Sequence, residues 1–564
     1  MPARTLSLAT PCLSLATLCR AACALIAALL TITSAAAKAE EAACPGRPNF
    51  LIILADDLGF SDLGCYGGEI ETPNLDRLAA NGLRYSQFYN TARCWPTRAS
   101  LLTGFYAQQV NRDAFANSPH GGHGERQSWA KLLPEYLREL GYRSYHSGKW
   151  HLDGNPREEG FDRSYSLADH DRYFTPRHHF LDDRPLARES QDSGYYATTA
   201  IADRAIEFLE QHVAEHSGKP FLQYIAFNAP HFPLQAPQTD IEKYQDNYSK
   251  GWDALRRERW ERQQKLRAVH GSLSPLEPEV GPPYDFQDAL AHLGPAEVNR
   301  ELAWDRLSTP QQTFQAAKMA IHAAMVDRMD QEIGRVLQKL KDNGLFENTV
   351  VFFLSDNGAT AEIMIRGDGH NPSVDAGSAG SYLCLGPGWS RAANTPFRRH
   401  KTWVHEGGIS TPMIVHWGNK LAESGGWRET VGHVADIVPT VLELAGSDWT
   451  QVCADQEAPE SPGRSLVGTF NSAQQTIKRP AMWWLHEGNR AIRVGDWKLV
   501  AAKDDPWELY DLSTDRSETR SIAAQMPAKV EELAALWNTH ADEFQAQANG
   551  HRAERQASRA AQPQ

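Results

Sequence analysis

Four short runs along the chain are almost continuously apolar: Asn49 to Leu54 (NFLIIL), Phe221 to Phe227 (FLQYIAF), Val350 to Leu354 (VVFFL) and Met413 to Trp417 (MIVHW). None alternates polar with apolar residues, so each reads as a strand buried on both faces of a parallel sheet. Helical stretches lie between them, at Asn74 to Ala80, Trp129 to Leu140, Ala197 to Gln211 and Gln315 to Lys341, several of them ending in Gly. The alternation predicts an α/β fold: a large, mostly parallel or mixed sheet sandwiched by helices. Two segments interrupt it. Trp252 to Arg267 is highly charged and reads as an inserted surface helix, while Gly367 to Trp389, rich in Gly, Ser and Pro, reads as a long loop. Beyond about Ser461 the texture changes. Ala491 to Ala502 and Trp507 to Leu512, with a turn at Gly495-Asp496, predict a small C-terminal antiparallel sheet, and the Ala/Gln/Arg-rich end predicts a disordered tail.

The N-terminus follows a different logic. Arg4 and Arg20 carry its only charges, and the apolar run Ala21 to Ile32 leads to Ala35-x-Ala37 or Ala37-x-Ala39, either of which fits the small-residue pattern of a signal-peptidase site. That run is too short to span about 30 Å of hydrocarbon. No later segment reads as membrane-spanning, so the chain is expected to be exported, to a periplasm or the extracellular space. The predicted organisation is a signal peptide over 1–37, a catalytic α/β domain over 45–460, a C-terminal subdomain over 461–545 and a tail over 546–564.

Charge and cysteine count narrow the partners. The 57 Lys+Arg against 70 Asp+Glu give −13. Loss of Arg4 and Arg20 with the signal takes this to −15, which argues against general affinity for nucleic acid or anionic membranes. An anionic substrate must then meet a local cationic pocket. Cys44, Cys65, Cys94, Cys384 and Cys453 remain after cleavage, too sparse for a disulfide scaffold and without CxxC metal spacing. The odd count leaves one thiol to be explained.

Polar residues at the carboxyl ends of strands are the places to look for chemistry in such a sheet. Asp56-Asp57 follows the first apolar run and Asp356-Asn357-Gly358 follows the Val350 run. Either pair alone reads as a turn or helix cap. Two pairs after matching strands offer three carboxylates and an amide, a donor set for a hard divalent cation such as Ca²⁺ or Mg²⁺, and no His-plus-Cys cluster points to Zn²⁺. Two other strand ends run into Lys149-Trp150-His151 and Asn228-Ala229-Pro230-His231. A lone His is usually structural; two beside a Lys suit acid/base and anion-binding work. In Arg93-Cys94-Trp95-Pro96-Thr97-Arg98, Pro96 and the following run to Leu102 start a helix, with Cys94 at its positive end and Arg98 one turn on. That placement favours an anionic nucleophile and a bound oxyanion. It also fits a buried cysteine with Arg98 in a salt bridge.

With C-x-P-x-R in place, the ordered segments LADDLGFSDLGCYGGEIETPNLDRLAANGLRYSQFYNTARCWPTRASLLTG, GYRSYHSGKWHL, FNAPHFPLQAP, LSDNGA, NTPFRRHKTWVHEGGISTPMIVHWG, RVGDWKLV and WELYDL resemble a type I sulfatase of the alkaline phosphatase superfamily, in detail the bacterial arylsulfatases. The resemblance covers nearly the whole chain after the signal. It implies an alkaline-phosphatase-like fold and hydrolysis of aryl or carbohydrate sulfate monoesters, with Cys94 oxidised to formylglycine (3-oxoalanine) by a maturation enzyme, which would account for the odd thiol. One hydroxyl of the hydrated aldehyde attacks sulfur and the other helps expel sulfate. Ca²⁺, favoured over Mg²⁺, would be held by Asp56, Asp57, Asp356, Asn357 and the modified Cys94. Arg98 and Lys149 would stabilise the diol and sulfate, His151 would act as base, and His231 and Lys401 would bind sulfate and its bridging oxygen, with His231 the acid for the leaving group. Trp95, where a small residue is usual, and Thr97, in place of a common Ser, depart from the family pattern. The same scaffold serves phosphonate monoester and phosphodiester hydrolases, and a chain with unmodified Cys94 would be a non-catalytic, metal-stabilised binding protein.

Overall fold

A computed structural model describes residues 46–560 apart from 115–123, 285, 448 and 450–457, with backbone alone for 550–560. The signal segment, Cys44 and Cys453 lie outside the described residues. Cys65, Cys94 and Cys384 are buried free thiols.

The strands, in chain order, are β1 (Asn49–Ala55), β2 (Leu83–Tyr85), β3 (Phe88–Tyr89), β4 (Arg143–Gly148), β5 (Arg163–Leu167), β6 (His179–Leu181), β7 (Arg184–Pro185), β8 (Phe221–Ala226), β9 (Thr349–Ser355), β10 (Met413–His416), β11 (Trp427–Arg428) and β12 (Gly432–His433). Ten of them form one mixed sheet in the order β11-β2-β10-β9-β1-β8-β4-β5-β6-β7, and β3 pairs with β12 apart from it. The centre, from β9 to β5, is parallel. β10 departs from the parallel expectation: it runs antiparallel to both β9 and β2. A continuous apolar run reports burial on two faces and carries no information about direction. Along β1, Leu51 and Ile53 enter one core with Met325 and Ile333 of the Thr309–Asp342 helix, while Phe50, Ile52 and Leu54 enter the other with Leu101, Leu137 and Val441. The sheet is thereby sandwiched.

The helices expected at 74–80, 197–211 and 315–341 form over Pro73–Ala80, Ala197–His216 and Thr309–Asp342. The one expected from Trp129 begins only at Leu133, because Pro134 is tolerated in a first turn and not inside a helix. The charged segment is a helix over Gly251–Leu266, yet not a surface one. Trp252, Leu255 and Arg259 are buried, and Arg259 is carried by Asp62 at 2.7 Å and Glu69 at 2.7 and 2.8 Å, so composition overstated its exposure. The long loop ends early, at a helix over Pro387–Ala393 that contains Trp389.

The C-terminal sheet has four antiparallel strands: β13 (Met482–His486), β14 (Asn489–Val494), β15 (Trp497–Ala501) and β16 (Glu508–Asp511). Its first strand was not legible in the sequence. A buried cluster fastens this sheet to the large domain, with Lys498 Nζ 2.9 Å from Glu406 and 2.8 Å from Glu518. A helix over Pro527–Ala560 packs Leu533 against Ile492 and Leu499, and its backbone runs through the stretch expected to be a disordered tail. No helix among the described residues is long and apolar enough to cross a membrane.

Candidate active site

The carboxyl ends of β1, β4, β8 and β9 meet at one point, together with the N-terminus of the Cys94–Thr103 helix. Backbone pairing continues just past the strands. Asp356 N–H donates to Ala55 O (3.1 Å), Asp57 N–H to the Asp356 carboxylate (3.3 Å) and Leu58 N–H to Ser355 Oγ (3.1 Å), which fixes the two acidic pairs side by side. Gly358 permits the next approach: a Cβ there would lie 1.9 Å from Gly407 O. Gly148, at φ +119°, lets β4 turn beside Ala226 O and present Lys149. Left-handed backbone at non-glycine residues recurs here, at Asp57 (φ 66°), Ala92 (φ 66°), His151 (φ 57°) and Thr402 (φ 85°), the kind of strain that surrounding structure must hold in place.

All the residues singled out in the sequence converge except that His151 stands at the rim, half-buried, with its ring edge-on to Trp95. Arg98 Nη2 contacts Asp356 (2.7 Å) and Asp56 (3.2 Å), while Arg98 Nη1 donates to Lys149 O (2.9 Å). Lys149 Nζ contacts Asp56. Lys401 Nζ lies 2.7 Å from Asp57 and 3.3 Å from Glu362, and His231 Nε2 lies 3.8 Å from Asp57. Asn357 Nδ2 donates to Asp57 (2.6 Å). The Thr97 hydroxyl accepts the Thr91 N–H at 3.0 Å and ties the segment leading into the helix to its first turn. Trp95, the other departure from the usual pattern, forms a wall between His151 and His486 with Arg93 against its ring.

Three residues escaped sequence reasoning. Glu362 lies between Arg93 (3.2 Å) and Lys401, without a motif to announce it. Arg93, immediately before the motif cysteine, also reaches Thr402 Oγ1 at 2.9 Å. His170 stacks on His151 (centroids 5.4 Å) and sits edge-on to His231 (5.6 Å); as a lone imidazole in a loop it gave no signal.

The electrostatics are those of a buried charge cluster. Burial pushes the Asp356 carboxyl up to about 7, with Asp56 adding repulsion that Arg98 and Lys149 only partly offset. Asp57 is raised by burial against the pull of Lys401. Asp56 is held low: burial opposes its ionisation, but Lys149, Arg98 and Lys401 prevail. Burial, reinforced by Lys149 and His170, drops His151 well below the usual histidine range. Burial with Lys401 and Lys149 does the same to His231, whose Nδ1, 2.6 Å from Phe232 O, must be the protonated nitrogen of the neutral ring because a carbonyl only accepts. Burial, with Asp56 and Asp356 adding to it, raises the Cys94 thiol pKa against the pull of Lys149 and Lys401, where the sequence predicts a lowered one.

This cluster fits a divalent cation by its unmet needs. Asp56 Oδ1, Asp57 Oδ2 and Asn357 Oδ1 are buried without a hydrogen-bond partner. Ligand atoms of Asp56, Cys94 and Asp356 lie within 4.8 Å of one another, as do those of Asp56, Asp57 and His231. Oxygen-dominated donors suit a hard ion, which would also relieve the repulsion that raises Asp356 and Asp57.

A sulfatase family model matches residues 48–447. The chain belongs to the sulfatase family. An uncharacterised sulfatase of Schizosaccharomyces pombe is 32% identical over 87% of this chain and 93% of its own, and an arylsulfatase of Klebsiella aerogenes is 30% identical over 77% and 93%. Among solved structures, Ps i-CgsB, determined with a neocarrahexaose, superposes with a TM-score of 0.61 at 22% identity, covering 87% of this chain and 92% of that one, which shows the fold. This sulfatase is accordingly a sulfuric ester hydrolase.

Proposed function

We propose that the protein hydrolyses sulfate monoesters of a phenol or sugar alcohol to the free alcohol and inorganic sulfate, outside the cytoplasm, with Cys94 oxidised to formylglycine and a Ca²⁺ ion bound. The observation carrying this reading is the set of orphaned oxygens of Asp56, Asp57 and Asn357 directly beside Cys94, opposite Lys149, Lys401 and two neutral imidazoles.

Asp56, Asp57, Asp356, Asn357 and residue 94 would hold the cation, which when bound supplies Lewis-acid polarisation of sulfate oxygens. Oxidation of Cys94 supplies a hydrated aldehyde where the chain has only a poorly ionised thiol. Arg98, locked between Asp56 and Asp356, fixes the floor of the pocket. Lys149 and Lys401 offer positive charge to an anion inside a chain of opposite net charge. His151, kept neutral by burial, is free to accept a proton from a hydroxyl at residue 94. His231 starts neutral with a lone pair on Nε2. An anion beside it opposes burial and the two lysines and raises its proton affinity, so its proton transfer to the leaving oxygen belongs to the substrate-bound state.

Assaying sulfate release from an aryl sulfate tests the reading. Cys94→Ala should abolish turnover while leaving the fold intact, read by circular dichroism; retained turnover refutes it. Hydrolysis of a phosphonate monoester in preference to every sulfate ester would assign the site to the related phosphorus chemistry.

A further inference from the structure

Three arginines lie in the loops that follow β5 and β9. Arg172 and Arg177 share one carboxylate, Asp368, at 2.5 and 2.7 Å. Arg366 has no carboxylate within 4 Å among the described residues; its guanidinium carbon instead lies 5.6 Å from the centroid of the Phe232 ring. That ring is the neighbour of His231, with centroids 4.0 Å apart, and Lys401 Nζ lies 5.6 Å from the same centroid. Arg366 and Lys401 are therefore separated by no more than two such lengths, each against one buried phenyl ring. The charge of Arg366 also acts on Glu362 and His170, both inside the site.

We propose that Arg366 is a specificity-determining residue that takes a second anionic group, a carboxylate or a further sulfate, carried by the alcohol or phenol portion of the ester. This rests on the sulfatase reading above. If residue 94 attacks from one side of the sulfur, the departing oxygen would lie on the side of His231 and Lys401, next to the Phe232 ring against which Arg366 is placed. Arg172 and Arg177 are already committed to Asp368. Arg366 keeps its fork of donors for an incoming ligand, and that planar fork matches the paired oxygens of carboxylate or sulfate. A cation–π contact with Phe232 leaves its N–H groups unconsumed. A lysine at this place would supply charge without the bidentate geometry.

The test compares kcat/KM for phenyl sulfate, 3-carboxyphenyl sulfate and resorcinol disulfate, with sulfate release read by ion chromatography, in the parent protein with oxidised Cys94 and in Arg366→Met and Arg366→Lys. In the parent the two dianionic esters should be preferred, and the ratio of each to phenyl sulfate should fall about ten- to a hundredfold in Arg366→Met, the range for a hydrogen bond to a charged group. Arg366→Lys should restore part of it. Raising the salt should erode the preference in the parent and not in Arg366→Met. A loss confined to the disulfate or to the carboxylate identifies which anion the site takes. Equal ratios in parent and Arg366→Met overturn the inference while leaving the sulfatase reading intact. Failure of the parent to hydrolyse any of the three esters overturns that reading and this inference with it.

Discussion

Glu362 offers the sharpest energetic test, because it is the one buried anion near the site that holds two cations and is no candidate metal ligand. It contacts Arg93 at 3.2 Å and Lys401 at 3.3 Å, and accepts the Thr360 hydroxyl at 2.8 Å. Burial opposes its charge, but Arg93 and Lys401 outweigh burial and hold the carboxyl down at about 2 from an ordinary 4.5. At about 1.4 kcal/mol per pH unit, that difference is worth about 3 kcal/mol of stability at pH 7. The sign follows from the depressed folded-state value: the contribution is complete above pH 4.5 and is lost as pH falls through about 2. Glu362→Gln keeps the shape and removes the charge. Denaturant unfolding should therefore show it less stable than the parent by about 3 kcal/mol at pH 7 and by about 2 kcal/mol at pH 3.5, with a fall in kcat/KM because Lys401 is then held by Asp57 alone. A penalty below about 1 kcal/mol at pH 7, or one that does not shrink on acidification, would refute the reasoning.

Two further outcomes follow from buried charge elsewhere. Dialysis against a Ca²⁺ chelator should lower both activity and unfolding midpoint, and Asp356→Asn should remove the response; an unchanged midpoint and rate in the parent count against a metal among Asp56, Asp57, Asp356 and Asn357. Lys498→Met should cost about 3 to 5 kcal/mol by leaving buried Glu518 without a cation and Glu406 with Arg516 as its remaining partner, read by denaturant unfolding, and a neutral effect would mean the C-terminal sheet is held by its apolar contacts instead.

The legible part of this protein was what local pattern encodes. Continuous apolar runs located β1, β8, β9 and β10, and the polar residues just beyond β1, β4, β8 and β9 turned out to face one another. The direction of β10 was not legible, since burial on two faces is the same for either orientation. Neither was the burial of Arg259, whose partners Asp62 and Glu69 stand almost 200 residues away in the chain. Glu362, Arg93 and His170 act through contacts that only the fold creates. The raised Cys94 pKa was hidden for a related reason: the helix start could be inferred from sequence, the burial that raises the thiol could not.

That last point puts the weight of the account on a chemical change at one residue. A thiol made harder to ionise by burial is a poor nucleophile, so the proposed reaction depends on Cys94 being oxidised. Peptide mass spectrometry of protein co-expressed with a formylglycine-generating enzyme measures this directly. The account predicts a loss of about 18 Da from the Cys94 peptide, in the fraction of molecules that matches the active fraction. An unmodified thiol at Cys94 in material that still hydrolyses an aryl sulfate would contradict it.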